Sequence, residues 1–129
     1  MIKLVKENNI RIIEESEILM EMANLSPKRT GLKVAIWSDG NGKSRNKKDK
    51  LPRVKIGTND YEVSVSIEKE PKILAQTKNI KQNEMNKIKE AMKYISKNYD
   101  LFLKHYESSY DDFDDNDLFD ALRERGDFK

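Results

Sequence analysis

The chain has no cysteine. Disulfides and thiolate chemistry are therefore excluded, and a zinc site would need ligands that the sequence does not offer. The lack of cysteine fits a reducing compartment, so a cytoplasmic location is the expectation. Histidine is almost absent as well: His105 is the only one. No apolar run approaches the roughly 20 residues that cross a bilayer. Lys3, Lys6 and Glu7 interrupt the first apolar stretch, which does not read as a signal peptide. No membrane partner and no cofactor are expected.

The 129 residues fit a single domain with one modest core. Charged residues make up 37% and hydrophobic residues 36%, a polar balance, yet strong local periodicity opposes general disorder. The net charge is only +2, but it is segregated. Lys43, Arg45, Lys47, Lys48, Lys50, Arg53 and Lys55 face only Asp49 within their stretch. Glu107, Asp111, Asp112, Asp114, Asp115, Asp117 and Asp120 occupy a stretch that contains no base. This asymmetry is the most informative feature of the composition.

Periodicity gives an α+β reading. Residues 2–14 are compatible with two short strands around Glu7-Asn8-Asn9, and Ile13 to Met22 equally with a short helix. Ser26-Pro27 through Thr30-Gly31 reads as a loop. Lys33 to Ser38 is β-branched and aromatic and ends at Asp39-Gly40-Asn41-Gly42, a turn signal. Arg53 to Gly57 predicts a strand after the lysine-rich loop. Tyr61, Val63, Val65 and Ile67 alternate with polar residues, the signature of a half-buried strand. Pro71 marks a break or an edge, and Lys72 to Ala75 a further short strand. Met85, Ile88, Met92, Ile95, Tyr99, Phe102 and Tyr106 form one apolar stripe, which predicts a long helix over 80–106 packed on the sheet. Asp117 caps a last short helix through Leu122 in this reading, and Gly126 ends it. The expected fold is thus a small antiparallel sheet of about three to five strands covered by one long helix, with a short acidic terminal helix. Residues 22–107 form the expected core, 1–21 an N-terminal extension and 108–129 an acidic segment.

Several constellations contain residue types that carry chemistry elsewhere. Gly40-Asn41-Gly42-Lys43-Ser44 ends like a phosphate-binding loop, but Trp37 stands where the first glycine is required, so a glycine-rich turn is favoured. Asp60, Glu70 and Lys72 echo a metal-dependent nuclease, with two carboxylates for magnesium and a lysine to steer water. Pro71 breaks that pattern where a paired strand is needed, and ordinary surface charge is favoured. Asp112, Asp114 and Asn116 mimic the first ligands of a calcium loop, but Asp117 replaces the glycine and Arg123 the final glutamate. No nucleophile–base–orienter spacing can be inferred around His105, which reads as structural or surface. No catalytic residue and no metal site is expected, and the chain reads as non-enzymatic.

Two stretches carry a resemblance. Met22 to Leu32, followed by Val34-Ala35-Ile36-Trp37-Ser38, resembles an "NLxPKxTGLPxVIWVS" opening found in small uncharacterised plasmid- and phage-borne proteins. The segment from Tyr94 to Tyr106 resembles the "WIxLHxxxLLxxW" helix of a related domain of unknown function often encoded beside toxin–antitoxin genes. The resemblance spans residues 22–107. Tyr94 and Tyr106 replace the usual tryptophans, Asn98 the usual histidine, and no proline follows Leu32. It implies a setting among mobile elements and their conflict with hosts, but no site.

Two functional expectations follow. The first is a non-enzymatic protein-binding protein of a mobile element, for example an inhibitor of a host defence nuclease of the CRISPR type, or an antitoxin-like partner of a toxin. Asp111, Asp112, Asp114, Asp115 and Asp117 would meet a basic surface on the host or toxin protein, with Tyr110, Phe113 and Phe119 as anchors. The same acidic segment could instead compensate the chain's own basic loop. The second expectation is a nucleic-acid-binding module using Lys43, Arg45, Lys47, Lys48, Lys50 and Arg53. Trp37 at the base of that loop would then stack on a nucleobase, although a core position for it is favoured.

Overall fold

A computed structural model describes residues 22–40, 42–45, 51–109 and 111–129, with only the backbone at Ser44 and Arg45. The expectations for residues 1–21, and the acidic segment's Tyr110, lie outside the described residues.

The described chain runs β1 (Met22–Leu25), α1 (Pro27–Thr30), β2 (Ala35–Asp39), α2 (Gly42–Arg45), β3 (Arg53–Gly57), β4 (Glu62–Ser66), β5 (Ile73–Gln76), α3 (Gln82–Lys97), α4 (Tyr99–Glu107) and α5 (Asp115–Glu124). The strands form a five-stranded antiparallel sheet in the order β1-β2-β3-β4-β5. The fold is α+β, as the alternation of β4 and the apolar stripe of the C-terminal half predict. β1 was not foreseen: four residues are too short for a periodic signal, and Met22–Leu25 become a strand by pairing with Ile36–Asp39.

Registered partners share a face, so two rows define each side of the sheet. Leu25, Ile36, Ile56 and Val63 form one buried row, and Ala23, Ser38, Val54 and Val65 the next. These rows meet Ile88, Ala91, Ile95, Phe102, Leu118 and Leu122 from the helices in a single core. The opposite face carries the row Asn24, Trp37, Lys55, Ser64 and Ala75, all half-buried or exposed.

The long helix expected over 80–106 is two helices. Asn98 interrupts it at φ −117°, ψ 24°. The Asn98 side chain is fully buried and donates to Tyr94 O (3.2 Å) and Asp127 Oδ2 (3.1 Å), while its own Oδ1 accepts from Arg125 (3.1 Å). A buried amide that back-bonds to the preceding turn competes with the helical ladder and bends it. The apolar stripe continues through the break, so α3 contacts β3 while α4 contacts β2 and α5.

The last residues fold back on this junction. Tyr94 donates its hydroxyl to Asp127 O (2.8 Å), and Lys97 pairs with Asp127 (3.0 Å). Phe128 is buried and stacks on Phe119 at 4.8 Å. Lys129 N donates to Arg29 O (2.9 Å), and Arg29 returns a bond to Lys129 O (2.8 Å), which ties the C-terminal residues to α1. Among the described residues no helix is long and apolar enough to cross a membrane.

Candidate functional site

The alternation of β2 puts Val34, Ile36 and Ser38 on the core side. Ser38 is therefore a hydroxyl in an apolar row, and it needs a partner there. His105, on the buried face of α4, supplies one: Ser38 Oγ lies 2.7 Å from His105 Nδ1. The other ring nitrogen, Nε2, lies 2.8 Å from Asp115 Oδ1 at the start of α5. Ser38 and His105 are fully buried, and the Asp115 side chain is about a third exposed. Phe113 packs edge-on against the imidazole at 6.5 Å, and Lys104 Nζ sits 4.7 Å above the Phe113 ring. Gly40 makes room for the cluster, since a Cβ there would lie 2.8 Å from His105 Nε2.

Sequence reasoning missed this Ser–His–Asp set because its members are 67 and 10 residues apart in the chain. One signal was available: Ser38 has the same parity as Val34 and Ile36. The set has the residue types of a hydrolytic triad without the surroundings. The Ser38 hydroxyl has no exposure, and its backbone belongs to the ladder between β1 and β3, so its N–H cannot serve an oxyanion. Its chemistry is that of a clip in which each imidazole nitrogen is satisfied and β2, α4 and α5 are joined.

The acidic segment is largely used within the fold. Phe113 is buried, and Phe119 is half-buried against Phe128, so these two of the expected anchors face inward. Asp114, rather than Asp117, is the N-cap of α5. Asp114 Oδ1 accepts from Asp117 N (2.8 Å), and Asp117 Oδ2 accepts from Asp114 N (3.0 Å), a reciprocal capping box. Asp115 is held by His105. Asp111 and Asp112 stay exposed in the preceding turn.

The nuclease-like set is not brought together. Asp60 precedes β4 and lines a cavity of about 430 Å³ with Tyr61, Lys78, Lys81 and Glu84. Burial pushes the Tyr61 hydroxyl up to about 12, and the neighbouring Glu84 carboxylate adds to the shift. Glu70 and Lys72 lie beyond the other end of β4, where Glu70 lines a shallow cleft with Lys69, Pro71 and Met92. The length of β4 separates the carboxylates, too far to share one ion. No group of three or more metal-ligating side chains occurs among the described residues, and the calcium-like Asp114 serves as a helix cap instead.

The basic stretch connects and enters the two central strands. Lys43 is exposed on α2, and Arg53 and Lys55 lie on β3, on the face turned away from the core. Side-chain positions for Arg45, Lys47, Lys48 and Lys50 lie outside the described residues. Trp37 shares that outer face, paired directly with Lys55 and with Asn24, and it does not pack on the described hydrophobic core. Its expected core position is thus replaced by a place on the opposite surface, because its parity on β2 is that of Ala35 and Asp39. Lys55 also makes one weak contact, to Glu62 at 3.7 Å. No family model matches the chain, and neither a curated protein nor a solved structure is significantly similar to it.

Proposed function

We propose that this chain is a non-catalytic nucleic-acid-binding module that holds phosphates through the basic hairpin formed by β2, β3 and their connection. The observation that carries this reading is how differently the two charged stretches are used. The acidic one turns Phe113 and Phe119 inward and commits Asp114, Asp115 and Asp117 to capping and to His105. The basic one leaves Lys43 exposed and Arg53 and Lys55 half-buried on the outer face, on the strand that its connection enters. A cluster of cationic side chains binds a polyanion by releasing its condensed counterions.

The test is a salt titration of binding to labelled DNA and RNA. Affinity should fall linearly on logarithmic axes, and a Lys43→Gln, Lys47→Gln, Lys48→Gln, Lys50→Gln variant should flatten the slope by roughly 0.7–0.9 per lost phosphate contact. Absence of binding at low salt would overturn the proposal.

A second reading is supported by the exposure of Asp111 and Asp112, which serve neither the capping box nor His105. These carboxylates suit a protein partner with a basic surface, in keeping with an inhibitor or antitoxin-like role for a mobile element. A partner captured from lysate that survives nuclease treatment, and is lost with Asp111→Asn and Asp112→Asn together, would favour it over the first.

A further inference from the structure

We infer that the nucleic acid taken by this hairpin is single-stranded, and that it lies across the outer face of the sheet with a base stacked on Trp37. The inference rests on the phosphate-binding reading of the same hairpin and adds the ligand's form and the residue that selects it.

The outer row Asn24, Trp37, Lys55, Ser64 and Ala75 crosses all five strands in register. Five strands at about 4.8 Å spacing make a row of about 19 Å. The row has the parts that a single strand requires. Trp37 is the only tryptophan of the chain, and it is half-buried on the outer face, outside the described hydrophobic core. Lys55 stands beside it, and Arg53 lies two residues along β3 on the same face. Asn24, on the other side of Trp37, is exposed and carries both a donor and an acceptor for a base edge. An aromatic side chain beside cations on a sheet face binds a single strand with little sequence preference, since every base has a π-face.

A duplex does not fit the same surface. Its major groove, about 12 Å wide, admits a helix or a two-stranded ribbon, not a row of five strands. Its bases are stacked on one another and are out of reach of an indole on a broad face. The Lys55–Glu62 pair does not hold Lys55 away from a phosphate: the two side chains are 38% and 55% exposed and 3.7 Å apart. Such a pair contributes little and exchanges readily.

Because Trp37 is the sole tryptophan, its fluorescence reports on this face alone. The experiment titrates the full chain with oligothymidylate and with a duplex of the same length, reading fluorescence anisotropy of the labelled nucleic acid and Trp37 emission in parallel. Oligothymidylate should bind and quench Trp37, while the duplex should bind more weakly and leave the emission unchanged. Trp37→Ala should weaken oligothymidylate binding about 5- to 150-fold, the range that base–aromatic stacking gives, with Trp37→Phe restoring most of it. Lys55→Gln should lower the salt slope by roughly one phosphate contact without abolishing binding.

Binding of both nucleic acids with no change in Trp37 emission would overturn this inference and leave the basic hairpin as a phosphate grip. Equal affinity for the duplex would also overturn it. Trp37 shielded from acrylamide in the free protein would overturn it too, because an indole that a neutral quencher cannot reach cannot stack on a base. Failure of both nucleic acids to bind at low salt is a different result and removes the parent reading.

Discussion

Ser38 and His105, 67 residues apart in the chain, share a buried hydrogen bond of 2.7 Å that fastens the central sheet to α4. Asp115 completes the arrangement from the start of α5 at 2.8 Å. Removing one member of a buried set strands the others without water to replace them. Ser38→Ala should cost about 1–3 kcal/mol, the penalty of an unsatisfied buried partner. His105→Ala should cost about 2–5 kcal/mol, because it also opens a cavity. Urea denaturation of both single variants and the double variant should give a coupling of about 0.5–3 kcal/mol. Independent, additive effects would show that the bond contributes nothing.

The same burial predicts that Ser38 is inert. A fluorophosphonate reagent, which labels accessible activated serines, should leave Ser38 unmodified in the folded chain. Labelling at Ser38 that disappears in His105→Ala would show that the cluster can be reached by an electrophile.

The acidic carboxylates should separate into two classes on substitution. Asp114→Ala removes the acceptor that caps α5 and should destabilise by about 0.5–2 kcal/mol. Asp111→Asn and Asp112→Asn concern exposed side chains and should leave the thermal midpoint almost unchanged. Calorimetry on the three variants distinguishes a segment built into the fold from a solvated tail, for which all three would be silent.

Both ends of the pH range should reveal named groups. Hydrogen bonding to Arg125, at 2.6 and 3.0 Å, holds the Asp100 carboxyl below its ordinary 3.8. The folded state then binds that proton at lower pH than the unfolded chain does. The stabilisation is present above about pH 3.8 and is lost as pH falls through the folded value. The pair is solvent-exposed, so Asp100→Asn should remove only about 0.2–1 kcal/mol near neutrality and flatten the acid limb of the stability curve. At the alkaline end, the Tyr61 hydroxyl is pushed up from 10.0 to about 12. Its contribution is complete below pH 10.0 and is lost as pH rises through about 12; Tyr61→Phe should remove that alkaline loss.

Gly40 should not tolerate a side chain. An added Cβ would sit 2.8 Å from His105 Nε2 and 3.3 Å from Asp115 Oδ1, and neither group can move without breaking the other's bond. Gly40→Ala should destabilise by about 1–3 kcal/mol, the range for overpacking. Gly31→Ala is a useful contrast. It meets no atom within 4 Å, so any cost there arises from its φ of +85° and not from a clash.

How much of this protein could be read from the sequence depended on the distance over which each signal acts. β4 was legible because Tyr61 to Ile67 alternate over seven residues, and β3 because Arg53–Gly57 follows a loop and precedes a turn. The apolar stripe from Met85 to Tyr106 announced a helical layer on the sheet, and it does contact β2 and β3. It could not announce the break at Asn98, because the stripe's spacing is unchanged there. What bends the helix is an amide held by Asp127 and Arg125, which come from the far end of the chain.

The candidate site divides in the same way. Local composition by itself determined that the charge is segregated, that cysteine chemistry is absent and that a lysine-rich segment joins two strands. Only the tertiary structure decided which charges are spent within the fold. The acidic aromatics looked like anchors for a partner, but Phe113 closes over His105 and Phe119 stacks on Phe128. Trp37 looked like core, but strand parity and sheet register put it on the outer face beside Lys55. The physical reason is that period and charge act between near neighbours and are written in the sequence. The partner of a buried polar group, and the face that an aromatic residue occupies, are fixed only when distant segments pack together.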